Sequence, residues 1–379
     1  MAPRDETEIE LVSGFGTVIA DAARRCWDAG RAILPCNPAF TAEELAALHD
    51  TLRPDLPAPP GIAAVMVTSG TAGAPKGVEL TRTGLEAMGH GYSDALRVTA
   101  ADRWLACLPL HHVASLGIVA RSYVTGIPMT VHDHFDLDRV ARSPATEGTT
   151  IVSLVPTALK RLLDAGAPLH EFRLVVLGGA PCPPALRARA DASGVTTVDA
   201  YGLTETWSGF ALDGMPIAGA SVRLADDGEI LVRGAMVMHG YRRDPARTAE
   251  VLDADGWLRT GDIGTIDDEG RIAVVDRKKD LVITGGVNVS PTEIEGVLAH
   301  HHALADVCVI GVPDDEWGER VVAFVVPAPG TVAPTLAELR AFAREHLSAP
   351  KLPREVRVVD TIPRTTSGKP LRRLLREHA

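Results

Sequence analysis

The stretch "IAAVMVTSGTAGAPKGVEL" (62–80) sets the reading of the whole chain. Its first half is a β-type apolar run. Its second half, "VTSGTAGAPKGVEL" (67–80), is poor in packing side chains and rich in small donors: Gly70, Gly73, Gly77, the hydroxyls of Thr68, Ser69 and Thr71, with Thr81 just beyond, and one cation, Lys76. A glycine-rich turn between a strand and a helix-like run can converge backbone N–H groups on phosphate oxygens. It is not a Walker A loop, because Lys76 follows a proline and precedes Gly77 instead of standing in a Gly-Lys-Ser/Thr triplet. By itself such a loop is an ordinary turn more often than a phosphate site.

Outward from this stretch, residues 61 to about 205 alternate β-type runs ("IAAVMVTS", "DRWLACLPL", "IPMTVHD", "TTIVSLVP", "FRLVVLGG", "VTTVDAYG") with helix-like segments such as "PTALKRLLDAG" and "PPALRARADASG". That alternation predicts α/β layering around a largely parallel sheet. After residue 210 the triplets DDG, ADG and DEG punctuate short Val/Ile/Leu-rich runs, which predicts a small antiparallel β region. From about 277 a helix with Pro291 in its first turn and Ser290 as N-cap, two strands, a second helix and a final strand predict a small α+β unit. Residues 1–60 offer one amphipathic segment, "TAEELAALHDTL", and the proline-rich connector "RPDLPAPPG". The expected fold class is α/β: a large N-terminal domain (1–276) of layered α/β subdomains plus a small β region, then a small, mobile α+β C-terminal domain (277–379).

Bulk properties exclude several classes. A net charge of −11 over 379 residues disfavours a nucleic-acid partner. Five scattered cysteines without a CxxC pair suggest neither a zinc site nor a redox motif, and fit reduced thiols in a cytoplasmic protein. No apolar run reaches the ~20 residues of a membrane span, and the charged N-terminus lacks the apolar core of a signal peptide.

Other stretches carry chemistry. "DAYGLTETW" (199–207) sets the hydroxyl of Thr204 beside the carboxylate of Glu205, an oxygen donor suited to Mg²⁺. "WLRTGDIG" (257–264) holds Asp262 in a glycine-flanked turn. "VVDRKKDLVITGG" (274–286) is a basic cluster closed by Gly285 and Gly286, and "PRTTSGKPLRR" (363–373) places Lys369 in a terminal loop.

In order, "TSGTAGAPKG", "LPLHHV", "GGAPCP", "YGLTET", "RTGD", "DRKKDLVITGG" and "PRTTSGK" resemble the adenylate-forming superfamily of acyl-CoA synthetases, adenylation domains and luciferases, over residues 62 to 375. The resemblance implies an acid–thiol ligase that uses ATP, Mg²⁺ and coenzyme A. The phosphate loop would be Thr68, Ser69, Gly70, Thr71 and Lys76. Glu205 would hold Mg²⁺ and Thr204 the α-phosphate. Gly179, Ala180 and Pro181 would line the adenine, with Tyr201 stacking on it beside Gly202; Asp262 would bind the ribose, and Arg277 the ribose or phosphate. Lys369 would bridge the carboxylate and the α-phosphate. A hinge at Lys278 or Lys279 would then exchange that lysine for the face of Thr284, Gly285 and Gly286, which lines the CoA tunnel. Relative to the family the segment before the phosphate loop is short, so an N-terminal subdomain is expected to be reduced.

The acyl pocket is implied by "LPLHHVASLGIVARSYVTG" (108–126), where His112 falls on the gating position and His111 is expected to be structural. This stretch, with Arg121 and "SLVPTALKRLL", looks like the 2-succinylbenzoate–CoA ligases of menaquinone biosynthesis. A second carboxylate entering an apolar pocket needs a cation, which Arg121 would supply; the alternative is a solvated surface arginine. Other aryl- or fatty-acyl-CoA ligases, or an adenylation enzyme loading a carrier protein, would keep every motif and change only the pocket or the acceptor. A catalytically silent adenylate-binding protein is disfavoured because Glu205 and Lys369 are both present. The implied partners are a carboxylic acid, ATP and CoA, with neither nucleic acid nor membrane, and a homodimer is left open.

Overall fold

The computed structural model describes residues 6–69, 75–364 and 370–377. The chain divides into a larger unit (1–223, 231–260 and 266–272) and a smaller one (224–230, 261–265 and 273–379).

The first sheet of the larger unit begins with β1 (Ile9–Ser13), β2 (Ala32–Cys36), β3 (Ile62–Ser69) and β4 (Pro75–Thr81). β1, β2 and β3 run parallel, whereas β3 and β4 are antiparallel, with Thr68 opposite Lys76. Here the structure corrects two expectations. The element after the glycine-rich stretch is a strand and not a helix, so no helix N-terminus opens directly behind it. The strand leading into it belongs to this mixed sheet and not to the parallel one. The helix starts only after Thr81, whose hydroxyl accepts from the Gly84 N–H and caps α3 (Arg82–Ala95).

Residues 16–28 form α1 (Gly16–Asp28), which the sequence pattern alone did not mark as an element. Its signal was Ile19, Ala23 and Trp27 at four-residue spacing, flanked by Ala20, Ala22 and Cys26, all buried. The segment "TAEELAALHDTL" becomes α2 (Ala42–Leu52), opened by a capping box in which Thr41 and Glu44 exchange hydrogen bonds of 3.1 and 2.7 Å. Leu48 and Leu52 of this helix pack on Leu34, Ile62 and Val65 of the sheet.

The second sheet holds β5 (Trp104–Ala106), β6 (Met129–Val131), β7 (Ile151–Leu154), β8 (Leu174–Leu177), β9 (Thr197–Tyr201), β10 (Ala211–Leu212) and β11 (Met215–Pro216) in the order β11-β10-β9-β8-β7-β5-β6. The run from β9 to β6 is parallel, as its alternation with helices predicts. The four intervening helices are α4 (Val113–Thr125), α5 (Leu137–Glu147), α6 (Pro156–Asp164) and α7 (Pro184–Ala192). The apolar strands Leu174–Leu177 and Ile151–Leu154 pack on Leu159 and Leu162 of α6.

Then come β12 (Ser221–Leu224), β13 (Glu229–Arg233), β14 (Gly240–Tyr241), β15 (Leu258–Ile266) and β16 (Ile272–Arg277). β12, β13, β15 and β16 are neighbours in one small sheet, with tight turns at the DDG and DEG triplets. The two-residue β14 returns to pair with β4 at the edge of the first sheet.

In the smaller unit β17 (Val282–Thr284), β18 (Val287–Val289), β19 (Leu304–Asp314), β20 (Gly318–Pro327) and β21 (Glu355–Val358) form one sheet. Period-2 alternation explains its two cores. Val307, Val309, Val321, Ala323 and Val325 face one side with Ile294 and Leu339, while Cys308, Ile310, Val322 and Phe324 face the other with Ile362 and Leu375. Ser290 caps the helix Pro291–Leu298 as its sequence predicts, and Thr335 caps Leu336–Ala343 through a box with Glu338. All five cysteines are free thiols, four of them buried. Burial pushes Cys26 and Cys36 up to about 11, and Cys107 and Cys308 up to about 12. No helix among the described residues is long and apolar enough to cross a membrane.

One buried cation fastens the first sheet. Arg242 donates to the main-chain carbonyls of Leu52, Arg53 and Leu56 and pairs with buried Glu79 at 3.0 Å. Arg242→Met strands the Glu79 carboxylate in the interior, at a cost of about 3–5 kcal/mol. Urea denaturation followed by the fluorescence of the buried Trp27, Trp104 and Trp207 should show an earlier transition, and Glu79→Gln in the same chain should recover part of the loss.

Candidate active site

The parallel strands of the second sheet leave from one edge, and their carboxyl-end loops carry most of the motifs of the larger unit. His111 and His112 follow β5, Val155 follows β7, Gly178–Pro181 follow β8, and Gly202–Glu205 follow β9. Register puts Leu177 opposite Asp199, so the segments after β8 and β9 leave side by side. A crevice at the carboxyl ends of an open α/β sheet is where such folds bind ligands. Tyr201 packs its ring against Phe210, with centroids 4.8 Å apart.

The turn after β9 is tightly specified. A side chain at Gly202 would collide with the carbonyl oxygen of Ser208 and the Cα of Gly209, so only glycine fits. Trp207 and Ser208 both take positive φ (52° and 94°), an uncommon conformation for residues with side chains. Packing compensates, because the Trp207 ring is fully buried and its indole donates to the Thr81 carbonyl at 2.9 Å. The Thr204–Thr206 turn held in this way presents Glu205.

Glu205 is gripped twice. Its carbonyl accepts from the Met238 N–H at 2.8 Å, and its Oε1 accepts from the Tyr241 hydroxyl at 2.8 Å. The ammonium of Lys76 lies 5.0 Å from the centroid of the same tyrosine ring. Burial, followed by the Glu205 charge, raises the Tyr241 phenol above its ordinary range, so it stays a donor. Among the described residues no group of three or more His, Cys, Asp or Glu side chains gathers as a metal cage. A single carboxylate with one oxygen left for a cation still fits Mg²⁺, which is held by one or two carboxylates together with substrate phosphates. Tyr241 is the member of this cluster that no sequence motif contains. Its signal was only its place in a strand that pairs back onto the lysine strand.

His112 stands at the N-cap of α4, and the His111 and His112 rings are 4.5 Å apart. Surrounding protein displaces hydration from both, lowering His111 to about 4 and His112 below its usual value, so both are neutral near pH 7. Arg121, further along α4, is not a solvated surface residue: it is 1% exposed. Its guanidinium sits 4.2 Å from the Tyr92 ring centroid and 4.7 Å from that of Trp104. Among the described residues its hydrogen-bond acceptor is the Met88 sulfur at 3.8 Å, and Nε has none. Gly117 separates it from Ser208, just beyond the Glu205 turn, since a Cβ there would lie 3.0 Å from the serine Oγ and 3.4 Å from Arg121 Nη1.

The smaller unit holds the remaining motifs. Buried Asp262 pairs with Arg277 at 2.7 Å. Lys278 reaches Asp227 at 2.7 Å and Glu229 at 3.0 Å, and these hydrogen bonds raise its pKa, while Lys279 is exposed. Gly285 and Gly286 both have positive φ, and the Gly285 N–H donates to the Trp317 carbonyl at 2.8 Å beside the buried Thr284. Gly70, Thr71 and Lys369 lie outside the described residues, and of Ser69 only the backbone is described.

Residues 49–242 match the model of the AMP-binding enzyme family, and residues 293–369 match the AMP-binding enzyme C-terminal domain. A 2-succinylbenzoate–CoA ligase of Listeria monocytogenes is 37% identical over 83% of this chain and 70% of its own length. A 3-[(3aS,4S,7aS)-7a-methyl-1,5-dioxo-octahydro-1H-inden-4-yl]propanoyl:CoA ligase of Rhodococcus jostii is 37% identical over 92% of this chain and 72% of its own. Among solved structures, o-succinylbenzoate CoA synthetase of Bacillus subtilis with its acyl-adenylate intermediate superposes with a TM-score of 0.86 at 28% identity, over 98% of this chain and 88% of that one. With both family models matched in chain order and a relative 37% identical over most of the chain, the chain belongs to the AMP-binding enzyme family.

Proposed function

We propose that the chain joins a carboxylic acid to CoA through an acyl-adenylate, and that the acid is 2-succinylbenzoate, giving 2-succinylbenzoyl-CoA, AMP and pyrophosphate for menaquinone biosynthesis in the cytoplasm. The observation that carries the chemistry is that Lys76 and Glu205 both contact Tyr241, the lysine ammonium at its ring and the glutamate carboxylate at its hydroxyl. A carboxylate and a triphosphate repel each other, so a ligase must neutralise and align both before attack.

In this reading Thr68, Ser69, Gly70, Thr71 and Lys76 hold the β- and γ-phosphates. Glu205 holds Mg²⁺, which when bound neutralises phosphate charge. Thr204 contacts the α-phosphate; Gly179, Ala180, Pro181 and Tyr201 take the adenine; Asp262 and Arg277 take the ribose. A carboxylate oxygen attacks the α-phosphorus as pyrophosphate leaves, with Lys369 bridging the two. After rotation about Lys278 or Lys279, the CoA thiolate, entering past Gly285 and Gly286, attacks the acyl carbon and AMP leaves.

For the acid, support comes from Arg121. A wholly buried guanidinium with no carboxylate partner among the described residues is a costly element, and the second carboxylate of succinylbenzoate would neutralise it beyond the gating His112. The Rhodococcus relative favours a second reading: its fused-ring propanoate carries ketones, and the aromatic walls of Tyr92 and Trp104 would suit an arginine donating to a neutral carbonyl.

A pyrophosphate-release screen with CoA over 2-succinylbenzoate, benzoates, fatty acids and a ketone-bearing indane propanoate decides between these readings. Succinylbenzoate should give the highest kcat/KM; turnover confined to a monoacid would remove the dicarboxylate assignment and leave the ligase. Lys369→Ala should lower adenylation by on the order of 10²–10³-fold while sparing thioester formation from supplied acyl-adenylate. Equal loss in both half-reactions would contradict its role.

A further inference from the structure

We infer that Tyr241 is a positioning residue for the metal-binding carboxylate: its hydroxyl fixes which oxygen of Glu205 faces the nucleotide, and its ring fixes the height of the Lys76 ammonium. The inference rests on the adenylate-forming reading of the site and names a residue that the motifs do not contain.

The geometry is specific. Tyr241 is 8% exposed, and its phenol donates to Glu205 Oε1 at 2.8 Å, leaving Oε2 without a protein partner among the described residues. The tyrosine sits in β14, whose pairing with β4 puts Tyr241 opposite Val78, two residues from Lys76. Around it, the Met238 N–H donates to the Glu205 carbonyl, the His239 N–H to the Glu79 carbonyl and the Arg242 N–H to the Gly77 carbonyl, at 2.8, 2.8 and 2.7 Å. Residues 238–242 thus stitch the lysine strand to the glutamate turn, and Tyr241 is where that stitch reaches both charged side chains. A carboxylate with one oxygen occupied by a permanent donor cannot rotate freely. The other oxygen is thereby directed to the cation, as outer hydrogen bonds orient metal ligands elsewhere.

Tyr241→Phe removes the hydroxyl and keeps the ring. Binding of a non-hydrolysable ATP analogue, followed calorimetrically across a Mg²⁺ titration, should show an apparent magnesium requirement raised on the order of tenfold. Binding of AMP without metal should stay at its wild-type value. In a Glu205→Gln background the same substitution should add no further shift, since the effect runs through that carboxylate. An unchanged magnesium requirement, equal weakening of AMP and analogue, or an undiminished effect without Glu205 would each overturn the assignment. Failure of the wild-type chain to bind either nucleotide would instead remove the adenylate-forming reading, and this inference with it.

Discussion

The buried guanidinium of Arg242 is the constraint on which the face of the larger unit that carries Lys76 and Glu205 depends. Removing a charge from water is tolerable only when its donors are satisfied, and here three carbonyls from the end of α2 and the following connector, together with Glu79, satisfy them. The carbonyl partners lie 186 to 190 residues earlier in the chain. Meeting them all fixes where β14 lies against β4, and the residue immediately before Arg242 is therefore delivered to one place. The proline-rich connector, which carries no catalytic motif, shapes the site in this indirect way.

The same unit contains a second buried arginine with the opposite accounting. Arg121 lies between two aromatic rings with a sulfur for an acceptor, and among the described residues nothing acidic answers its charge. Ring faces attract cations but do not replace a carboxylate. One arginine is complete within the protein, and the other is suited to completion by a bound molecule. Under the proposed function that contrast would separate a structural cation from one that recognises a bound molecule, although both belong to the same residue type and both are hidden from solvent.

Much of this was legible in the sequence because the signals were local. Alternation of apolar runs marked the parallel strands, Ser290 and Pro291 marked a helix start, and the DDG and DEG triplets marked turns. The succession of motifs was enough to suggest the family. The misreadings came where local pattern is silent. "PKGVEL" is short and apolar enough to be read either way, and only pairing with β3 makes it a strand. Residues 9–36 lack strong turn signals, so α1 and its flanking strands were hidden within apparently featureless sequence. Tyr241 could not be found at all, since its importance lies in a hydrogen bond to a residue 36 positions away.

The condition of the cysteines bears on the chemistry in another way. An acyl-adenylate is an indiscriminate acylating agent toward thiolates, and the enzyme that makes one must deliver it to a single incoming sulfur. Burial holds four of the five thiols protonated, and partial burial raises Cys182, next to the Gly179–Pro181 segment, in the same direction. The protein therefore offers its own activated product almost no competing nucleophile of the kind that CoA supplies, a form of protection against self-acylation achieved by packing alone.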